Sequence, residues 1–304
     1  MPTPHSAANF QDLLDKRVTK LFYDELKQLP DMRSKFYAME KSSDSYERWS
    51  EVGALPDFTA FNGNVAYQNQ AQGYDTTATH LEWVNGFQVT RDLYDDDRHG
   101  LWERRPVALA NSYMRTVQKH GASIFNNAAS VDTTFANNSE GVALCSDSHT
   151  TTSGASTSSG FDNVTTASLT ATAVASARIQ MVNFRGDQAE RISVMPDTLL
   201  VPPDLYESAY EIIASSGKVD VATNNANVHK GKYESIEWNY LTDTNNWFLI
   251  DSRQMKQWLV WFDRVPLEFG QAEELDTLIA KWRAYCRYSM AWFNWRFILM
   301  GNVS

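Results

Sequence analysis

The stretch 41–80 most constrains what this chain can become. Across SSDSYERW, EVGALPDF and FNGNVAYQNQAQGYDTTAT, Gly, Asn, Pro, Gln and Tyr dominate and every core-forming pattern is lost. The segment is too polar to own a hydrophobic core and too aromatic to be a linker. Asn62-Gly63 is a tight-turn dipeptide between two extended arms. The pattern predicts a long hairpin that projects from the body and lies on some other surface.

The flanking segments have cores of their own. Phe10, Leu13, Leu14, Val18, Leu21, Phe22, Leu26 and Leu29 fall at helical spacing, and Pro30 stops the run. One apolar stripe with charges opposite needs a partner surface. Leu81, Trp83, Phe87 and Val89 alternate as a strand through Gly86, and Asp95-Asp96-Asp97 suits the electropositive start of a helix. From Pro106 to Asn126 comes the strongest helix. Val107, Ala110, Met114, Val117, Gly121, Ile124 and Phe125 share one face, and Pro106 is tolerable in a first turn. Such a helix is about 30 Å long, the span of a small domain.

Beyond it, 146–160 (SDSHTTTSGASTSSG) holds ten Ser/Thr in fifteen positions and reads as low-complexity loop, too polar to pack. A second block follows. Leu169, Ala173, Ala177 and Met181 mark one helix, Thr198–Val201 a strand, and Pro203 opens a helix carrying Leu205, Ala209, Ile212 and Ile213. The remainder reads as strands at Ile236–Tyr240, Trp247–Ile250, Gln257–Phe262 and Tyr288–Leu299. Seven of the ten Trp lie from Trp238 onward, as suits a sheet with a large aromatic face. Helices and strands come in runs rather than strict alternation, so the fold class is α+β. No internal repeat is visible.

Charge narrows the classes of function. The 304-residue chain has a net charge of −10, with 43% hydrophobic and 21% charged residues, so it is an ordinary globular sequence and not a free-standing basic nucleic-acid binder. No run of about 18 apolar residues exists to span a membrane. The start, MPTPHSAANFQDLLDK, has neither the basic nor the apolar region of a secretory signal, and Cys145 and Cys286 alone make no disulfide scaffold. The charge is uneven. Residues 51–100 hold eight acids against Arg91 and Arg98, whereas 101–120 hold Arg104, Arg105, Arg115 and Lys119 against Glu103. Both stretches read as solvated surface or, more sharply, as contacts with further copies or DNA on different faces.

Motifs for chemistry are missing. There is no G-x-S-x-G, no P-loop, no G-x-G-x-x-G and no H-E-x-x-H, so the sequence supports no nucleotide, metal or other cofactor. Asp95-Asp96-Asp97-Arg98-His99 is the one compact cluster, but adjacent side chains point apart and do not converge on a ligand. His149 near Asp147 lacks a nucleophile and reads as a turn histidine.

Several segments resemble a known family. Gly86-Phe87-Gln88-Val89-Thr90-Arg91-Asp92-Leu93-Tyr94-Asp95-Asp96-Asp97 resembles the strand-to-helix passage of Mu-like phage major head subunits. Gly141-Val142-Ala143-Leu144-Cys145-Ser146-Asp147-Ser148-His149 is similar to that family's short strand ending in Ser-x-x-His. Pro196-Asp197-Thr198-Leu199-Leu200-Val201-Pro202-Pro203-Asp204-Leu205 looks like its P-D-T-L-V-V-P-P-x-L junction, and Trp247-Phe248-Leu249-Ile250-Asp251 matches the strand after the polar loop. The four lie in the family's order across about 80–262.

The resemblance implies the major capsid fold of tailed bacteriophages, known from the Hong Kong ninety-seven phage and shared with encapsulins and herpesvirus capsid floors. On it, 1–45 is an N-terminal arm and 46–80 an extended loop crossing a neighbouring subunit. A peripheral domain takes 81–135, with the spine helix, and 263–304; an axial domain takes 136–262 at hexamer and pentamer centres. The chain is then a non-enzymatic virion protein that assembles in the host cytoplasm into an icosahedral head around double-stranded DNA. It has separate scaffolding, portal and decoration partners and no membrane contact. The local charge of +3 over 101–120, in a chain of −10, further predicts that Arg104, Arg105, Arg115 and Lys119 give the spine region a basic inner face toward packaged DNA through phosphate contacts. No lysine–asparagine cross-link or its acidic catalyst can be matched here. The rivals are an encapsulin-like nanocompartment shell and, from a different class, a soluble monomeric α/β hydrolase or ligand-binding domain with a polar-lined pocket. An adhesin-like module is disfavoured by the missing signal.

Overall fold

The computed structural model of the chain describes residues 16–55, 57–58, 60–61, 63–65, 67, 70, 72–96, 100, 103–217, 226–274, 277 and 279–303. In order the elements are α1 (Lys16–Gln28), α2 (Arg33–Phe36), β1 (Ala38–Lys41), β2 (Tyr46–Val52), β3 (Gln72–Thr79), β4 (Leu81–Thr90), α3 (Arg91–Asp96), α4 (Arg104–Asn126), β5 (Ala136–Asn138) and β6 (Val164–Thr165). The second half holds α5 (Ala171–Val182), β7 (Thr198–Val201), a 3-10 turn at Pro203–Leu205, α6 (Tyr206–Ala214), β8 (Glu234–Glu237), β9 (Trp247–Ile250), α7 (Ser252–Trp258), β10 (Leu259–Glu274), β11 (Ile279–Trp292) and β12 (Ile298–Gly301).

Three sheets result, with strand orders β1-β10-β11-β4, β6-β12-β9-β7-β8 and β2-β3-β5. The third contains the hairpin: β2 and β3 run antiparallel from Tyr46↔Thr79 to Val52↔Gln72, with a bulge between Ser50 and Val52. Asn62 lies outside the described residues, while Gly63 has φ +103°, a left-handed value that suits glycine in a turn.

The long helix α4 has 23 residues, about 35 Å, and begins two residues before the expected Pro106. Pro106 still falls in the first turn, where its missing N–H costs nothing. Leu109 and Ala110 pack with Phe22 of α1 and Ala284 of β11, and Val18 meets Val89, Ala280 and Trp282, so α1 and α4 cover one face of the β4-β11-β10 sheet. At its far end α4 reaches the second block, where Phe125 meets Phe248 of β9 edge-on with ring centres 5.6 Å apart. In β7, β9 and β12 every residue is buried, which is why TLLV and WFLI read as unbroken apolar runs. No helix among the described residues is long and apolar enough to cross a membrane.

The structure corrects several expectations. The acids expected to start a helix end one instead: α3 begins at Arg91 with Asp92 in its first turn, Asp96 closes it, and Asp97 lies outside the described residues. The strand expected over 257–262 is a helix followed by a far longer strand. Asp251 caps α7 by accepting from the Arg253 and Gln254 amides, and β10 then runs sixteen residues, irregular in register around Pro266, which cannot donate to a ladder. The Ser/Thr-rich loop carries no helix and only the bridge-free turns of an irregular segment, yet it is packed. Thr151 and Ser153 hydroxyls donate to Asp187, the Thr150 amide donates to Glu140 at 2.7 Å, and Thr152 donates to the Gln72 carbonyl at 3.0 Å. The Thr151 and Ser153 hydroxyls thus tie the loop to the buried Asp187.

His120 on α4 makes stability depend on pH. Its Nδ1 lies 2.7 Å from the Tyr288 hydroxyl and its ring centre 4.3 Å from that of Trp83. Burial, helped by Lys119, pushes its pKa down to about 4. The unfolded chain takes up this proton near the ordinary value of about 6.5, so stability present at neutral pH is lost as pH falls from about 6.5 toward 4. After allowance for its partial exposure, the loss is about 2 kcal/mol. Denaturant midpoints should fall more steeply over that range in the wild type than in His120→Phe; parallel curves would sink the assignment.

Candidate functional site

Arg104, Arg105, Arg115 and Lys119 all lie exposed on α4, away from its buried stripe of Leu109, Met114, Val117 and Phe125. At about 100° per residue, Arg104, Arg115 and Lys119 share an arc of about 60°, with Arg105 about 40° beyond. Arg105 is partly committed, since its Nη1 donates to the Gln88 carbonyl of β4 at 2.9 Å. Arg104, Arg115 and Lys119 make no ion pair among the described residues. The structure therefore brings three of the four into one stripe and sets the fourth at its border.

The sequence reading missed what lies alongside. Helix α1 docks on α4, where Asn111 Nδ2 donates to Glu25 at 3.0 Å and Arg17 pairs with Glu103 at 3.0 Å. Lys20 and Lys27 of α1 are exposed as well. Together α1 and α4 carry eight basic and two acidic residues, inverting the sign of the −10 chain. Only the docking reveals this, because about eighty residues separate the helices.

A second constellation fixes the root of the hairpin. Glu51 of β2 accepts from Arg296 Nη1 at 3.1 Å and from Asn294 Nδ2 at 2.8 Å, and Arg296 Nε donates to the Arg185 carbonyl at 2.6 Å. The guanidinium lies 4.8 Å from the Trp295 ring centre and 5.6 Å from that of Phe161. Burial raises the Glu51 pKa; Arg296 opposes this, and the charges of Asp187 and Glu140 add to the rise. The His149 ring also stacks on Trp295 with ring centres 4.2 Å apart, and its Nδ1 lies 3.2 Å from both Glu140 oxygens. His149 is thus a buried partner of Glu140. Burial pushes the Cys145 thiol up, against any nucleophilic role. No group of three or more His, Cys, Asp or Glu among the described residues is placed to hold a metal.

Past this root, large apolar side chains stand in solvent. Val52, Leu55, Phe58, Phe61, Val65 and Tyr67 are all exposed, Phe58 completely. A contiguous set this large marks an interaction surface.

The β2–β3 hairpin, a long helix laid on a sheet and a second sheet block on the same core are the parts of the Hong Kong ninety-seven capsid fold. Solved shells share it. The mature capsid of bacteriophage PhiM1 superposes with TM-score 0.61 at 10% identity, over 90% of this chain and 87% of that one. The capsid of bacteriophage JBD30 decorated with minor capsid protein trimers gives 0.56 at 12%, over 79% and 100%. A virus-like particle from Pyrococcus furiosus gives 0.54 at 9%, over 94% and 98%. No curated protein sequence matches the chain. The family described as phage capsid protein matches residues 73–300, and the chain belongs to that family. It is a major capsid protein, a structural component of the virion capsid rather than an enzyme.

Proposed function

We propose that this is the major head subunit of a Mu-like tailed phage. It assembles in the host cytoplasm into the hexamers and pentamers of an icosahedral head and encloses double-stranded DNA. The exposed apolar hairpin on a pinned root carries this reading: Phe58, Phe61 and Tyr67 are exposed and are buried by a neighbour's surface in repeated heterologous contacts. The arm is 1–45, the extended loop 46–80, the peripheral domain 81–135 with 263–304, and the axial domain 136–262. Strand β12 is the exception within 263–304, since it hydrogen-bonds to β9 and lies in the sheet of the axial span. Scaffolding, portal and decoration proteins are separate chains. Light scattering and negative-stain microscopy on the chain expressed alone, then with scaffold, test the assembly. Shells, rings or tubes support it, and a persistent 34.5 kDa monomer overturns it.

The α1–α4 face, including Arg104, Arg105, Arg115 and Lys119, is the DNA side. Its cations neutralise phosphates without reading sequence. Changing those four residues to Gln should flatten the slope of log affinity against log salt for duplex DNA by about 3 to 4, near 0.9 per lost contact. An unchanged slope would remove the face from the DNA side.

A further inference from the structure

Helix α5, ATAVASARIQMV, has Arg178 as its one charged residue. A helix at a protein surface ordinarily turns a polar, charged face to water. Here Ala173, Val174, Ala177 and Met181 are buried, while Ile179 is 60% and Val182 41% exposed on the outer side. At about 100° per residue, Arg178, Val182 and Ile179 fall within an arc of about 100°. Asp162, whose carbonyl accepts from Gln180 Nε2 at 2.9 Å, is off that arc, since Gln180 is about 160° round from Arg178.

Helix α6 carries a second exposed patch of opposite sign. Tyr206 and Tyr210, one turn apart, are exposed and stacked with ring centres 6.4 Å apart. Glu207 and Glu211 continue the exposed face beside them. Lys230 and Lys232 stand at the C-terminal end of α6, where Gly231 between them donates its amide to the Ile213 carbonyl at 3.1 Å. Neither glutamate, nor Arg178, forms an ion pair among the described residues. The two helices rest on different strands of one sheet, α5 on β9 and β12 and α6 on β7 and β8. One block therefore presents a basic apolar patch and an acidic aromatic one.

Either patch laid on its own kind would set Arg178 against Arg178, or Glu207 and Glu211 against their copies, and like charges across a contact are costly. Glu207 and Glu211 repel phosphate as well, so DNA is no cover for α6. The crosswise pairing neutralises both patches and lays two aromatic rings on the exposed Ile179 and Val182. We propose that α5 of one copy docks on α6 of the next, with Arg178 between Glu207 and Glu211 and with Ile179 and Val182 against Tyr206 and Tyr210. Two different patches on one chain make a head-to-tail contact, which repeats from copy to copy until a ring closes. The inference rests on the reading of the chain as a shell subunit, and it assigns the surfaces that join one axial block to the next.

Charge exchange and cross-linking of the full-length chain test it. In Arg178→Glu the chain concentration needed for assembly should rise at least about tenfold, because three carboxylates then face one another. Adding Glu207→Arg and Glu211→Arg to the same chain should bring it back. Thermal melting of the unassembled variants should match the wild type, since all three side chains are exposed. A chain with Val182→Cys and Tyr210→Cys, treated with a short bismaleimide after assembly, should give a ladder ending at five or six chains. A mixture of the two single-cysteine chains should stop at dimers, which is the signature of a head-to-tail contact. Cys145 and Cys286 are buried, and the wild type is the control for them. Normal assembly of Arg178→Glu, or shells that yield no ladder, overturns the α5–α6 contact and leaves the shell reading standing. A wild-type chain that forms no shells, rings or tubes even with scaffold overturns the shell reading itself.

Discussion

Arg296→Met is expected to destabilise the fold by about 3–5 kcal/mol, the usual cost of removing one partner of a buried ion pair. Arg296 is 5% exposed and holds Glu51, the Asn294 side chain and the Arg185 carbonyl together. Without it Glu51 keeps its burial and its negative neighbours Asp187 and Glu140 but loses the opposing charge, so its already raised pKa climbs further. The sign of the pH effect follows: the variant gains stability as pH falls through the raised Glu51 value and loses it as pH rises above the ordinary carboxylate range. Glu51→Leu added to Arg296→Met should recover most of the loss, because an apolar pair of similar volume replaces the ionic one. Chemical denaturation of the wild type, single and double variants decides it. A double variant no more stable than the single one would mean that lost packing on Trp295 and Phe161, not the stranded carboxylate, carries the cost. The assembly consequence is specific to the hairpin, since Glu51 is the last firm tie before the exposed apolar stretch.

Phe22→Ala should cost about 3–5 kcal/mol, concentrated in α1. Phe22 is fully buried, stacks on Phe269 with ring centres 4.7 Å apart and meets Tyr23 edge-on at 5.3 Å. A thirteen-residue helix is marginal in water by itself, so α1 holds its form through docking. Hydrogen exchange should therefore accelerate across 16–28 while β7, β9 and β12 keep their protection. On the proposed DNA side, undocking of α1 should also weaken duplex binding with every α4 cation still present. Unchanged protection in α1 would show that Val18 and the polar ties to α4 suffice to hold it.

The elements legible in the sequence were those whose burial is settled locally. Helix α4 shows a continuous apolar stripe, β7 and β9 are buried on both faces and bounded by turns, and the hairpin arms flank a segment with no core pattern. The long strands β10 and β11 were largely missed because their outer face is charged. Lys281, Arg283 and Arg287 alternate with Ala280, Trp282 and Cys286, a period of two that is easily read as a polar stretch. The α4 cations could be found from local charge and helical spacing. Lys20, Lys27 and the Glu51–Arg296 pair could not, since a contact spanning 245 positions leaves no trace in either local segment. His149 was underestimated for the same reason: its partner is Glu140, nine residues back across the loop, and its stacking partner Trp295 lies far downstream.

Strand β12 has a consequence for how the protein is made. It lies between β6 and β9, so a sheet that starts with Val164 and Thr165 stays open until Ile298–Gly301 is available. A chain still on the ribosome short of about residue 300 therefore presents an incomplete sheet with unpaired edges, however well its earlier helices have formed. Copies interrupted during translation lack the closing strand and cannot offer the finished subunit to a growing shell.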